Sequence, residues 1–330
     1  LHLSIRRQRQ MCIRDRVIRH IINKIYGIYI GNAYVHSVRK KMKIDKEKYD
    51  LIIVENEPQY VLEIKKSQKD AIMVLHLHND YLNVDTKLGK KIKENYDYIY
   101  ANSKYIKNRV DEIQGTKTKV KVLYNGIDTQ RFSAGYYDKR NERKKLGFSE
   151  QDFIFLYVGR VVPEKGVMEL IEAFKKVKLT NKKLVIIGNS SDKKFYTKII
   201  KMINEDIILK KFVDYADIPK YYAIADVGII PSICNEAFGM VVVECLSMGK
   251  PVIISDRGAL EEVTNKSCSK VAKYDKNYIT NICKAMQSYG KMNDEERKRQ
   301  EYEAILNAKK FDKSIYIHNF LKLVNEVENE

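Results

Sequence analysis

Four residues offer the most chemistry in this sequence. Glu236 and Glu244 lie in NEAFGMVVVECLSMGKPVIISD, residues 235–256, with an almost wholly apolar run between them. Arg160 and Lys165 lie in YVGRVVPEKGVMELIEAF, residues 157–174. Two fixed cations between a strand end and a helix start make a diphosphate site, because guanidinium, ammonium and unpaired helix amides all favour negative charge. Two carboxylates eight positions apart can accept hydrogen bonds from hydroxyl groups. If most of that interval is helical, they are separated by about 12 Å at roughly 1.5 Å per residue, near the span from sugar to ribose in a nucleotide sugar. Each feature also has a plainer explanation: a basic loop in a lysine-rich chain, and a buried helix whose glutamate caps or forms an ion pair. Spacing alone does not choose.

The elements that must position these residues form an alternating series. YDLIIVENE (49–57), AIMVLHLHND (71–80), YDYIYANS (96–103) and KVKVLYNGID (119–128) are short apolar runs ending in polar residues, with charged, helix-compatible segments such as 85–95 between them. Continuous apolar strands alternating with helices predict a parallel sheet covered on both faces. SAGYYDKRNERKKLG (133–147) breaks the pattern and reads as a domain connection. The pattern then restarts with strands FIFLYVG, KLVIIGN, VGIIPS and PVIISD, and with helices over 166–177, 219–224, 238–248 and 294–309. The expected fold is α/β, with two halves in series. Ligands of open parallel sheets bind at the carboxyl ends of the strands, so a cleft between the halves is the expected site.

Composition limits the function classes. The chain has 330 residues, 44% of them hydrophobic, enough for two domains. No apolar run is long enough to cross a bilayer. The five cysteines have no paired close spacing, so they read as reduced, cytoplasmic thiols. A formal net charge of +18 implies an anionic partner. Without a zinc-finger or RNA-recognition pattern, nucleic acid is not the expected one. The stretch RQMCIRDR (9–16) resembles a translated sequencing adapter, so residues 1–16 are expected to be foreign and the natural chain to start further upstream.

The joint order of several segments resembles retaining glycosyltransferases of the GT-B fold, glycosyltransferase family 4. E-x7-E between PS and GKPVI is similar to that family's donor-site signature. LYNGIDTQRF (123–132), the GR and KG of 157–174, LVIIGN, IADVGIIPS (224–232) and FDKSIYIHNFLKLVNEV (311–327) match in the same order. The likeness runs from about Tyr49 to the C-terminus. IIVENEP with LHLHND resembles a branch with spore-coat and polysaccharide-type transferases. The resemblance implies that Arg160 and Lys165 bind the donor diphosphate at the strand end marked by Gly159. Glu236 would bind the sugar hydroxyls and Glu244 the ribose. The backbone amides of Phe238, Gly239 and Met240 would meet sugar and phosphates, and Val213 and Tyr215 would touch the base. His78 would approach the donor sugar from the first domain, Asn79 and Asp80 would contact the acceptor, and Ser103 with Lys104 would mark a strand end at the cleft. Asn125 and Gly126 would shape the linker. Neither a metal nor any cofactor beyond the nucleotide-sugar substrate is implied. The implied partners are that donor, with a UDP-sugar favoured, and a glycan or lipid-linked acceptor. The implied place is the cytoplasm, with peripheral contact to anionic lipid at the inner face of the membrane.

Three departures from the family pattern stand out. The initial strand and Gly-Gly loop are missing: residues 17–48 read as helix plus loop, so the first domain is expected to lack its first βα unit. KKFVDYADIPKYYAIAD (210–226) replaces the usual glycine-containing base region. DRGALEEV (256–263) has Gly258-Ala259 where a glycine pair is common, but keeps the family glutamate at Glu262. The expected layout is a first Rossmann-like, acceptor-side domain over 17–133, a linker over 134–147, a nucleotide-sugar domain over 148–310, and a terminal helix over 311–330 that crosses back. The alternatives are a non-catalytic coat or scaffold protein that keeps the fold, a sugar-nucleotide epimerase, or an inverting GT-B enzyme.

Overall fold

The computed structural model describes residues 29–44 and 48–328. The suspected foreign stretch, 1–16, lies outside the described residues. Of the segment 17–48, the described part includes a helix over Tyr29–Ile44.

The chain divides into two compact units, each built on its own parallel sheet. The first sheet has four strands in the order β1 (Leu51–Glu55), β2 (Ile72–Leu77), β3 (Tyr98–Ala101) and β4 (Lys119–Val122), all parallel. These are the four apolar runs expected from sequence. The helix Lys87–Glu94 between β2 and β3 starts where Thr86 accepts a hydrogen bond from the Gly89 amide at 3.0 Å. A threonine hydroxyl at this position satisfies one of the four amides that a helix leaves unpaired.

The second unit contains Asn102–Tyr105 and Leu123–Glu326. Its sheet has six parallel strands: β5 (Phe153–Val158), β6 (Lys182–Ile187), β7 (Ile207–Lys210), β8 (Val227–Ile230), β9 (Val252–Ser255) and β10 (Ser269–Ala272). Their spatial order is β10-β9-β8-β5-β6-β7. Alternation along these strands explains why they read as unbroken apolar runs. Ile154, Leu156, Val185 and Ile254 join one core cluster, while Phe155, Tyr157, Leu184 and Ile253 join another. Successive side chains point to opposite faces, and both faces are covered by helices, so neither register can be polar. The sequence reading does not include β7 and β10. β7 is short and only partly buried, and three of the four β10 residues are not buried.

The segment 134–147, read from its charge and glycines as a linker, is ordered within this second unit. It forms a short 3-10 turn over Ala134–Tyr136 and a helix over Lys139–Leu146, with Asp138 as the N-cap and Gly147 at φ +81° as the C-cap. Arg143 in that helix is buried, and its guanidinium donates to the carbonyls of Ile224 (2.8 and 3.0 Å) and Glu150 (2.8 Å). Part of the charge of this segment thus serves as an internal connector.

The last helix, Lys313–Glu328, is tied at its start to the segment around Ile127. The Ile127 amide donates to Phe311 O and the Lys313 amide to Ile127 O, both at 2.8 Å. Lys313 also pairs with Asp128 at 2.7 Å, and Thr129 donates to Asp312. Gly126 belongs to this junction: a Cβ there would lie 2.7 Å from Tyr316 Cβ and 2.9 Å from Lys313 Cα. Only a glycine lets the two segments approach so closely.

Candidate functional site

The carboxyl ends of β5 and β8 bring Lys165 and Glu236 together. Lys165 Nζ lies 2.5 Å from Glu236 Oε1, and both side chains are largely shielded, 18% and 17% exposed. The Ser232 hydroxyl also donates to Glu236 Oε1. Seventy-one positions separate the two charges in sequence, so the backbone must be held on both sides.

Two glycines do this. Gly166 adopts φ +67°, and a Cβ there would sit 1.8 Å from Pro231 O. That close approach docks the β5 loop on the end of β8, where the amides of Ile233 and Cys234 donate to Glu164 O at 3.0 and 3.1 Å. Gly258 adopts φ +68°, and a Cβ there would lie 2.2 Å from Glu236 O. Across this contact Ala259 N donates to Glu236 O at 2.8 Å. Both conformations lie in the left-handed region that glycine alone adopts at little steric cost. Gly258 thus does its work without the second glycine of the family pattern.

Beyond Glu236 the chain enters the helix Met240–Ser247, with Gly239 at φ +100° as its N-cap and no side chain closing the end. The Val242 amide donates to Gly239 O at 2.9 Å; the amides before it have no carbonyl a turn earlier in the helix, so this end suits an anion. Phe238 contributes backbone only: its ring is buried and packs edge-on to Phe311 at 5.5 Å. Met240 is exposed. The estimate of about 12 Å between the glutamates assumed a mostly helical interval. Residues 236–239 are not helical, so only the part from Met240 to Glu244 rises at helical pitch and the figure does not describe the whole interval. Glu244 lies half-buried in the second turn, and Tyr222 donates to its Oε2 at 2.8 Å. Tyr222 is wholly buried; burial and the Glu244 charge push its phenol well above the usual range, so it stays a donor.

Arg160 is exposed and pairs with Glu164 at 3.5 Å, on the same loop as Lys165 but not on Glu236. Its carbonyl is fixed by the Tyr157 hydroxyl at 2.6 Å, which also backs Gly159. Val213 is half-buried against the core. Tyr215 is exposed, but one face of its ring is covered by the Arg131 guanidinium at 3.9 Å, and Phe132 meets it edge-on. Arg131 was not singled out from sequence, because nothing local marks a cation that stacks on a ring eighty-four positions away.

Ser103 is fully buried, and its hydroxyl donates to Ala237 O at 2.7 Å, beside Glu236. Ser103, expected to mark a strand end on the acceptor side, thus makes a positioning contact with the backbone next to Glu236. Glu262, the retained family glutamate, accepts from the amides of Lys104 (2.7 Å) and Tyr105 (3.2 Å) at the start of helix Lys104–Asp111.

In the first unit, His78 follows the end of β2. Its Nε2 lies 3.0 Å from Glu55 Oε2, and His76 Nδ1 lies 3.1 Å from the same oxygen. Partial burial raises the Glu55 carboxyl, but hydrogen bonds from the two histidines outweigh it and hold the group at about 2. Glu55 was missed in the sequence reading; its signal is strand register, which sets it opposite His76. Asn79 is exposed, and Asp80 pairs with Arg109 at 3.2 Å.

Comparison with known proteins supplies the family. The pattern described as "Glycosyl transferases group 1" matches residues 138–307, and that of "Glycosyltransferase Family 4" matches 7–131. A lipopolysaccharide 1,2-N-acetylglucosaminetransferase of Salmonella typhimurium is 28% identical over 67% of this chain and 58% of its own length. Spore coat protein SA of Bacillus subtilis is 26% identical over 74% of this chain and 70% of its own. The chain thus spans little more than half of the Salmonella relative. The structure of Anabaena Alr3699/HepE with UDP and glucose superposes with a TM-score of 0.74 at 19% identity, covering 88% of this chain and 81% of that one. The fold is accordingly GT-B, and with the group 1 pattern extending over half of its residues, the chain belongs to the group 1, family 4 glycosyltransferases.

Proposed function

We propose that the protein is a retaining glycosyltransferase that moves a sugar from a nucleoside-diphosphate sugar, with a UDP-sugar favoured, to a glycan or lipid-linked acceptor of the cell surface. The observation that carries this reading is the shielded Lys165–Glu236 pair beside the uncapped helix end at Gly239. The Lys165 ammonium, the Arg160 guanidinium and the amides of Gly239 and Met240 take up the charge that develops on the departing diphosphate. Preorganised donors aimed at developing charge are usually the largest catalytic contribution. Glu236 accepts hydrogen bonds from the sugar hydroxyls and keeps Lys165 oriented. Glu244, held by Tyr222, accepts from the ribose. Attack comes from the face that the leaving group departs, so no carboxylate nucleophile is needed. The cations supply the charge that a metal would, and the transfer is read as metal-independent. His78 is assigned to the donor sugar, and Asn79 and Asp80 to the acceptor.

Alr3699/HepE was solved with UDP-glucose, which supports a uridine donor. The basic charge and the Salmonella relative support a surface-glycan acceptor met at the inner membrane face. Among the described residues no helix is long and apolar enough to cross a membrane. The match to spore coat protein SA favours one second reading, a scaffold that keeps the fold without the reaction. Incubating the protein with UDP-, GDP- and ADP-sugars in EDTA, and following sugar release and anomeric configuration by NMR, separates them. Glu236→Gln is expected to stop transfer while leaving the fold intact. Absence of binding and turnover with every donor would favour the scaffold.

A further inference from the structure

We propose that Glu55, His76 and His78 form a binding site for a divalent metal ion of the zinc class. Parallel pairing sets Glu55 of β1 opposite His76 of β2. His78 follows two residues later, so both imidazoles project from one face. Among the described residues this is the one group of three or more such side chains whose ligand atoms all lie within 4.8 Å of one another. Two edges of the triangle are 3.1 and 3.0 Å. Bonds of about 2.0–2.2 Å in a tetrahedral array place ligand atoms roughly 3.3–3.5 Å apart, so small side-chain rotations bring the cluster to that geometry. Two imidazoles and one carboxylate are a donor set that zinc favours, with the fourth position left to water.

The surroundings are those of a preorganised site. His76 is buried within a strand, and the two rings lie 4.2 Å apart between centroids. The chain after β2 is held by Asn56, whose side-chain oxygen accepts from the amides of His78 and Asn79, both at 3.1 Å. The His78 and Glu55 side chains are 36% and 55% exposed, which gives an ion an entry path. The inference concerns binding alone, and it shares His78 with the transfer reading: an ion held on Nε2 would occupy the ring otherwise assigned to the donor sugar, so the two uses exclude one another.

The test uses tag-free full-length protein stripped with chelator, with Zn2+ followed by calorimetry and Co2+ by visible absorption. The expected result is one Zn2+ per chain, together with the intense visible bands of four-coordinate cobalt. His78→Ala and Glu55→Gln, both at partly exposed positions, should each weaken Zn2+ binding beyond the roughly 10–100-fold that loss of an outer-shell partner costs. His36→Ala should leave affinity unchanged. Circular dichroism confirms that each variant is folded. Absence of stoichiometric binding to the wild type overturns the proposal. So does binding that survives in both folded variants, because the ion would then sit elsewhere.

Discussion

The two ends of the second sheet each hold a carboxylate against cations, and they are built differently. At the amino ends of the strands, Asp226 accepts from Arg143 at 2.8 Å, Lys139 at 2.7 Å and the backbone amide of Ile154 at 2.7 Å. Arg143 is in turn satisfied by three backbone hydrogen bonds. At the carboxyl ends, Glu236 meets Lys165 and Ser232, and the backbone around them is bent by Gly166 and Gly258. In the first arrangement every partner of the carboxylate is a protein donor, although with Lys139 it borders a surface groove. The second is shielded yet lies beside a helix end that no side chain caps. A charge surrounded by protein donors serves folding, whereas a charge pair beside a helix N-terminus without a side-chain cap is available to a ligand.

Variants can break that distinction. The largest effect is expected for Asp226→Ala, which strands the buried Arg143 guanidinium and should cost about 3–5 kcal/mol of stability in urea unfolding. The cations outweigh burial and hold the Asp226 carboxyl below its ordinary 3.8. Its contribution is therefore complete above pH 3.8 and is lost as the pH falls through the lower folded value. Wild type should lose stability in that acid window and the variant should not.

Lys165→Ala should show the opposite profile. Removal of one preorganised donor lowers turnover by about 10²–10³-fold, with a smaller change in unfolding midpoint. If it loses stability as Asp226→Ala does and turnover per folded molecule is unchanged, the two ends are alike and the site assignment falls.

Gly166→Ala tests how the pair is held. A left-handed backbone and a clash with Pro231 O together should destabilise the protein by about 3 kcal/mol. The smallest effect is expected at Gly147→Ala, where φ is also positive but no atom lies within 4 Å of an added Cβ. The conformational penalty alone is about 1 kcal/mol there. Equal costs at the two glycines would mean that the approach to Pro231 is not what requires Gly166.

Much of this is legible in the sequence alone. The eight runs read as strands are strands, because burial on both faces leaves an unbroken apolar signature. The helix over 166–177 was legible from its amphipathic periodicity, and a helix was also read over 294–309; their observed bounds are Val167–Lys176 and Asp294–Lys309. Helix 238–248 was read longer than the observed Met240–Ser247, because Phe238 is apolar for a core contact outside the helix. The charged segment 134–147 was read as a domain connection; the ordered helix within it was not legible, because the partner of Arg143, Asp226, lies eighty-three positions away.

What the sequence determined by itself was therefore local: strand periodicity, helix extents and the residue types that could bind a diphosphate and hydroxyl groups. What only the tertiary structure decided was who meets whom. The contact of Lys165 with Glu236, the assignment of Ser103 to Ala237, the Arg131 cover on Tyr215 and the junction of Glu55 with His76 and His78 all join residues at least twenty-one positions apart. Such contacts depend on strand order, register and the close approaches that Gly166 and Gly258 permit. Those are properties of the packed chain, and no local spacing encodes them.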